Sequence, residues 1–538
     1  MEYRRAYRDE APDQELIARH EREIFPLLKK RRLFAGSENF ALYDLYTPDG
    51  FVNENVFAYS NRLGDERALV FYNNSFHRAS GWIRNAVPST QKGPNGTKIL
   101  QHKNLAEALG LSNNPNCFTL LREQRSDRWF IRSSREISEK GLFIALDGYQ
   151  SQVFLDIHEI EDNQLGHWRR LNDELAGRGV PDLHAAFQDL FLRDLYSALK
   201  ELVKPSYFNG FYSFFNPEQK APKAAPFIEM LREPTLRYIR IAREYLDGAS
   251  GRYESFERKQ EYSTLEAEQV WDSFAQSMQR FIKLGEYIEK PPANLQSSGR
   301  TFVASLYKAL SEDPRISAYI AGYLVLALNR GIIGVEATGE DARRLVDHWC
   351  LDRKLRESYQ DAGFPPDESY HVVELLKLIL SRTMNEDQSL FQGPSISFSI
   401  TSHLFTEEAF KAFLNVNLYN DVLWFNKEKF EQILLYAGII AAIESDEAAL
   451  PPKRQEVQSS EKKGSIVLVP HPSKLNTAQW SKRLEMIAQI QQELSNAMVA
   501  SGYKVEVLLN ALRPRNVAAS ARIRTTKRST TKPKTEKE

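Results

Sequence analysis

Apolar and polar positions change rhythm twice along this chain. In QELIARHEREIFPLLKKRRLF (14–34), Leu16, Ile17, His20, Ile24, Leu27 and Leu28 fall on one face at helical spacing. Lys29 to Arg32 suit the negative end of that helix's dipole, and Pro26 is expected to kink its last turns. A stripe of this kind cannot be buried by its own helix, so a partner surface is expected. From Phe40 to about Asp162 the rhythm shortens. FALYDLY, VFAYS, ALVFYNN, RWFIRSS, LFIALDGY and SQVFLDIHEI read as strands, separated by turn signals such as Pro48-Asp49-Gly50 and Gly64-Asp65. Short strands punctuated in this way predict an antiparallel sandwich, with a helical insert at NLAEALGLS (104–112).

Beyond Asp162 helical spacing takes over. It runs through Leu183–Val203, Ala225–Leu246, Thr264–Ile288, Thr301–Leu328 and Asp341–Glu357. It resumes over Ser369–Thr383, Thr406–Leu414 and Lys427–Ile443, the last preceded by Asn426 as an N-cap. No fixed period marks a repeat array. Pro451-Pro452 opens a polar linker, and Trp480, Leu484, Ile487, Ile490, Leu494 and Met498 then form another helical stripe. That stripe can dock back on the body or pair with a partner helix. The last residues are basic and poor in apolar side chains, the composition of a disordered tail.

The predicted fold class is therefore α+β and multidomain: an N-terminal antiparallel β-sandwich followed by a large all-α domain. Its expected parts are an amphipathic helix (1–34), the sandwich (35–162), the helical domain (163–450), a linker (451–476), an amphipathic helix (477–512) and the tail (513–538).

Composition narrows the function. The chain has 538 residues, which suggests two to four domains, and 42% of them are hydrophobic, enough for well-filled interiors. Its 71 basic residues balance 71 acidic ones, which argues against nucleic acid as the main partner. Cys117 and Cys350 are the only cysteines, too few for a disulfide framework or a cysteine-rich zinc site. The N-terminus has no signal-like apolar segment, and the best apolar stretch, Ala318–Leu328, is too short to span a bilayer. A cytoplasmic protein without membrane partners is expected, and no cofactor or metal site is read from the residues.

One resemblance gives these parts a context. The strand pair NVFAYSNRLGDERALVFYNN follows the amphipathic helix directly. It resembles the form vfAYsRrlGDervLVvlNfs, which follows the last barrel helix in the α-amylase superfamily of glycoside hydrolases. Val56-Phe57-Ala58-Tyr59, Gly64-Asp65-Glu66-Arg67 and Leu69-Val70-Phe71-Tyr72-Asn73 stand in those places, and GLFIALDGYQSQVFLDI is similar to the closing strands. The similarity covers roughly residues 14 to 160. It implies the last barrel helix and C-terminal sandwich of an α-glucan-active enzyme, with a catalytic (β/α)8 barrel as partner in cis or in trans. The family's retaining chemistry needs two carboxyl groups about 5 Å apart, held at barrel strand ends. The strand–helix alternation that builds a barrel does not occur in this sequence, so no catalytic residue is carried over. An accessory portion is expected, reached through truncation, a split frame or a separate subunit. The alternative is a non-enzymatic helical scaffold that carries a β-sandwich.

The remaining constellations have bland explanations beside sharper ones. YFNGFYSFF (207–215) holds six aromatics, and Tyr207, Phe208, Phe211 and Tyr212 are candidates for a glucan-stacking platform. Rings of this size more often build a core. DIHEIEDN offers Asp156, His158, Glu159, Glu161 and Asp162 as metal ligands or acid/base groups, but strand alternation sends them to opposite faces. In VDHWCLDRKLRE, His348, Cys350 and Asp352 share an expected helix and point apart on it. GASG (248–251) and GIIGVEATG (331–339) lack the GKS or GKT ending of a phosphate loop and read as helix-ending turns.

Overall fold

The Gly64-Asp65 turn fixes the register of everything around it. The computed structural model describes residues 12–37, 39–92, 98–248, 253–257, 262–381, 396–444 and 477–513. The chain divides into two compact units, Met1–Phe191 and Leu192–Glu538. The expected linker and almost all of the basic tail lie outside the described residues.

In the first unit, three short helices, α1 (Gln14–Glu23), α2 (Phe25–Lys29) and α3 (Arg31–Ala35), precede the strands. Asp13 caps α1, and the expected kink is a break, since α2 restarts with Pro26 in its first turn. Strands β1 (Ala41–Tyr43), β2 (Val56–Leu63), β3 (Glu66–Asn73), β4 (Ala79–Ile83), β5 (Ser89–Lys92) and β6 (Lys98–Gln101) follow. Helix α4 (Leu105–Leu109) is closed by a capping box between Asn104 and Glu107 and by Gly110 in the left-handed region. Next come β7 (Cys117–Glu123), β8 (Arg128–Ser133), α5 (Ser134–Lys140), β9 (Leu142–Leu146) and β10 (Ser151–Glu161). Helices α6 (His167–Leu175) and α7 (Leu183–Phe191) end the unit.

The main sheet is six-stranded and antiparallel, in the order β1-β2-β3-β10-β7-β8. Leu63 pairs with Glu66 across the turn, Val56 with Asn73 at the far end, and Gly64 takes φ +61°. Ala58, Leu69, Phe71, Leu121 and Phe154 face one way, against Leu105 and Leu109 of α4 and Ile83, Leu142 and Ile144 of the two-stranded ribbon β4–β9. The other face packs Phe118, Leu120 and Ile131 against Trp168, Leu171 and Leu175 of α6 and Leu183 of α7. Residues 163–191, grouped by periodicity with the later helices, thus belong to the core of the sheet. Leu33, Ala68 and Leu155 tie α3 down, with Leu27 packed beside them, while Leu16, Ile17, Ile24, Phe25 and Leu28 stay exposed.

Arg67, from the turn motif, clamps three elements. Its Nε donates to the Leu109 carbonyl at 2.7 Å and its Nη2 to that of Gly110 at 3.3 Å, both at the C-terminus of α4. Its Nη1 donates to the Ile157 carbonyl at 3.3 Å, where β10 carries a bulge, and to its own turn at Asp65, 3.1 Å away.

The second unit is helical. It opens with α8 (Arg193–Leu202), α9 (Pro205–Tyr212), α10 (Ala224–Glu229), α11 (Arg232–Leu246) and α12 (Ala267–Glu289). Then follow α13 (Ser297–Glu312), α14 (Pro314–Ile333), α15 (Gly339–His348), α16 (Leu351–Asp361) and α17 (Pro366–Ser381). After α18 (Ile396–Thr406) and α19 (Glu408–Phe413), a hairpin of β11 (Asn417–Tyr419) and β12 (Val422–Trp424) turns through Asn420 and Asp421, both at positive φ. Helices α20 (Lys427–Ile443), α21 (Thr477–Ala500) and α22 (Val505–Leu512) complete the described chain.

Helix α14 runs through the middle of this unit, in contact with α9, α11, α12, α13, α15, α17 and α20. It extends well beyond the apolar run Ala318–Leu328 and is long and apolar enough to cross a membrane, but most of that surface is buried by its neighbours. Several long periodic stretches break in two. Asp313 caps α14 at Pro314, and Cys350, at φ +46°, separates α15 from α16. The stripe from Trp480 onward docks back: the Trp480 indole donates to the Ala442 carbonyl at 2.6 Å, and Leu484, Ile487 and Leu494 are buried.

Helix α20 starts where the sequence places it, with the Asn426 Oδ1 accepting the Lys429 amide at 2.8 Å. Asn426→Ala is expected to cost about 1 kcal/mol, because that amide loses its acceptor. A urea midpoint unchanged from the parent would show the cap to be dispensable.

Candidate functional site

Every expected platform residue lies on α9, and the helix turns two of them inward. Phe208 and Phe211 are only 2% and 3% exposed. Phe208 packs on Tyr359, and Phe211 on Phe227 and Phe281. Tyr207 is half-buried, and Tyr212, also half-buried, donates its hydroxyl to the Ser311 carbonyl at 3.0 Å. A sugar ring finds no open aromatic face on Phe208 or Phe211, so the aromatic density of YFNGFYSFF builds core.

The acidic strand end is also engaged. Asp156 is 3.3 Å from the Arg122 guanidinium, and the His158 ring meets the edge of Trp129. Glu159 takes the Ser112 amide with both oxygens, and Asp162 accepts the Trp168 amide at the start of α6. Among the described residues, no three His, Cys, Asp or Glu side chains gather as a metal site. His348 ends α15, with its ring edge-on to Tyr253 and tilted against Phe256, whereas Cys350 lies in the break and donates to the Asp347 carbonyl. The expected continuous helix through these residues is therefore interrupted. Gly334 and Gly339 sit at the junction of α14 and α15, and Gly248 in the turn after α11, while residues 249–251 lie outside the described residues.

A half-open cleft that carries both aromatic and polar groups lies in the sheet unit. Strand β8 is an edge, and the segment after α6 covers it, with Trp129 and Val180 exchanging amide bonds at 2.8 and 2.9 Å. Between this edge, the ribbon β4–β9 and α5 lies a cleft of about 620 Å³. Alternation along β8 sends Phe130 and Arg132 into it, and β10 contributes Gln152 and Phe154. Glu136 of α5, Asn172 of α6 and Gly177 close its polar side. At the mouth, Trp82 of β4 pairs across the ribbon with Phe143 of β9, ring centroids 5.3 Å apart. These rings stay 41% and 46% exposed.

Charge in the cleft is unevenly held. Arg132 donates from Nη1 to the Ile131 carbonyl at 2.8 Å and from Nη2 to that of Gly177 at 3.0 Å. Burial holds its guanidinium below the ordinary arginine range, an effect the charge of Glu136 partly offsets. The Glu136 carboxylate itself takes Lys140 at 2.9 Å. Exposed rings beside planar amide, carboxylate and guanidinium groups can stack on a flat ligand face and hydrogen-bond its rim. Nothing in this set provides a nucleophile with an adjacent base.

This cleft does not stand out in the sequence. The signal available is phase: Phe143 occupies an outward position of LFIAL and Trp82 one of ASGWI, where alternation calls for a polar residue. No family model matches the chain, and neither a curated protein nor a solved structure matches it.

Proposed function

We propose that this chain is the C-terminal accessory portion of an α-amylase-like enzyme acting on α-glucans in the cytoplasm. The sheet and its ribbon serve as that family's sandwich, and α1–α3 serve as its last barrel helix. The exposed Leu16, Ile17, Ile24 and Leu28 face the catalytic (β/α)8 barrel, supplied in cis or in trans. The chain binds glucan and supports the barrel without hydrolysing anything itself. The observation that carries the reading is the Trp82–Phe143 pair, open at the mouth of a cleft in the same unit as the β2–β3 hairpin. Gln152 and Asn172 supply the amides that hydroxyl groups require.

Affinity electrophoresis through gels containing soluble starch tests it, with laminarin as the β-glucan control. Starch is expected to retard the chain and laminarin is not. Trp82→Ala and Phe143→Ala should each weaken the retardation about fivefold to twentyfold, as loss of one stacking ring does. Both positions are partly exposed, and loss of the cross-strand ring pair should cost about 0.5–1.5 kcal/mol of stability, without unfolding the unit. Migration unaffected by any α-glucan, or retardation intact in the double variant, would sink the glucan reading.

A scaffold role is the competing account. It is favoured by Leu418, Tyr419 and Leu423, which stand exposed on the β11–β12 hairpin. Absence of glucan binding together with a defined protein partner would decide for it.

A further inference from the structure

The glucan reading leaves the arginines around this cleft unused. A second concavity of about 610 Å³ adjoins the first, and the two share Phe130 and Gly177. Arg132 lines the first, and Arg128 and Arg178 line the second. The loop between α6 and Val180 gathers all three. Arg132 and Arg128 donate to the carbonyls of Gly177 and Gly179, at 3.0 and 3.4 Å. Arg178 donates to those of Leu175 and Glu174, at 3.2 and 3.0 Å.

These bonds fix the guanidinium groups without neutralising them. Each guanidinium offers five N–H donors. Main-chain carbonyls take one from Arg128 and two each from Arg132 and Arg178. No carboxylate of the described residues lies within ion-pair distance of any of the three, and the nearby Glu136 is paired with Lys140. Of the three, Arg132 alone is drawn out of water, Arg128 and Arg178 being exposed, and a guanidinium so placed ordinarily brings an anion with it. Here three cationic groups border two adjoining cavities, and the one carboxylate that lines them already has its own cation.

We propose that the joined cavities around Phe130 bind a phosphoryl group, with Arg132 as the inner anchor and Arg128 and Arg178 at the rim. The planar forks match phosphate oxygens two at a time, and a dianion offsets three cations better than a single carboxylate does. The ring of Phe130, at the boundary of the two cavities, gives an organic body attached to the phosphate a surface to pack on. Each cavity is of a size that holds a small metabolite. The depressed basicity of Arg132 agrees with a cation whose counter-charge comes from a ligand. A neutral glucan calls for no cluster of cations, so the phosphoryl site does not rest on the glucan reading, although Arg132 lines the same cleft.

Isothermal titration of the full chain with inorganic phosphate, glucose 6-phosphate and glucose, at constant ionic strength set by sodium chloride, tests it. Binding is expected for both phosphate compounds and not for glucose at the same concentrations. Arg178→Gln, at an exposed position that leaves the core untouched, should weaken binding about tenfold, and Arg132→Gln should abolish it. Tighter binding of glucose 6-phosphate than of phosphate assigns the site to a phosphate ester; equal binding assigns it to free phosphate. Either supports the site. Absence of binding above the salt control, or unchanged affinity in a variant carrying both Arg128→Gln and Arg178→Gln, would overturn it.

Discussion

Gly141→Ala is expected to lower the stability of the sheet unit by about 3–5 kcal/mol, the largest effect of any single methyl group added to it. Gly141 ends α5 and opens β9 with φ +77° and ψ −154°, a backbone region that only glycine occupies without strain. A Cβ there would lie 1.9 Å from the Ile83 carbonyl oxygen and 2.8 Å from the Arg84 Cα. These are backbone atoms of the partner strand, and the neighbouring pair Ile83–Leu142 holds them in place. Neither strand can retreat without parting the ribbon, whose inward residues fill the core over the sheet. The urea midpoint of the variant measures the loss, and a midpoint within error of the parent would show that the ribbon yields freely. Because Gly141 also lines the cleft, ligand binding should fall with it.

Arg67→Met follows, at about 2–4 kcal/mol. Methionine keeps most of the apolar stem but leaves the carbonyls of Leu109, Gly110 and Ile157 without their donor. Lysine should restore less than half. Its ammonium is one compact centre, and the guanidinium reaches α4 and the β10 bulge at once through separate nitrogens. Equal stability of the lysine and arginine forms would show that charge alone matters at this position. The expected result makes the GDER turn a fastening, by which the hairpin holds elements that arrive some forty and ninety residues later.

The hairpin is the most legible part of the chain, since alternation and a two-residue turn together leave one register. Strand β7 is not legible at all. Its consecutive buried residues Phe118 to Leu121 serve cores on both faces, so no alternation shows. Nor does sequence order disclose that β10 sits between β3 and β7. Among the helices, α20 is legible because a cap and a full period coincide. The stretch 341–357 is not, because its break at Cys350 is a backbone feature that no proline or glycine announces. For the site, aromatic density points to α9, where large rings are core. The cleft is assembled from single residues of several elements, with the Trp82–Phe143 pairing set by the ribbon rather than by nearness in sequence.

Helix α14 has a consequence for how the chain is made. Apolar on nearly every side, it follows α9, α11, α12 and α13 out of the ribosome but precedes α15, α17 and α20, which complete its shield. Helix α17 is within about fifty residues, but α20 follows roughly a hundred residues later, which is about 5–20 s of synthesis. Throughout that interval a twenty-residue greasy rod waits for its last walls. The wall that α20 supplies to α14 is therefore the last of its walls to be made.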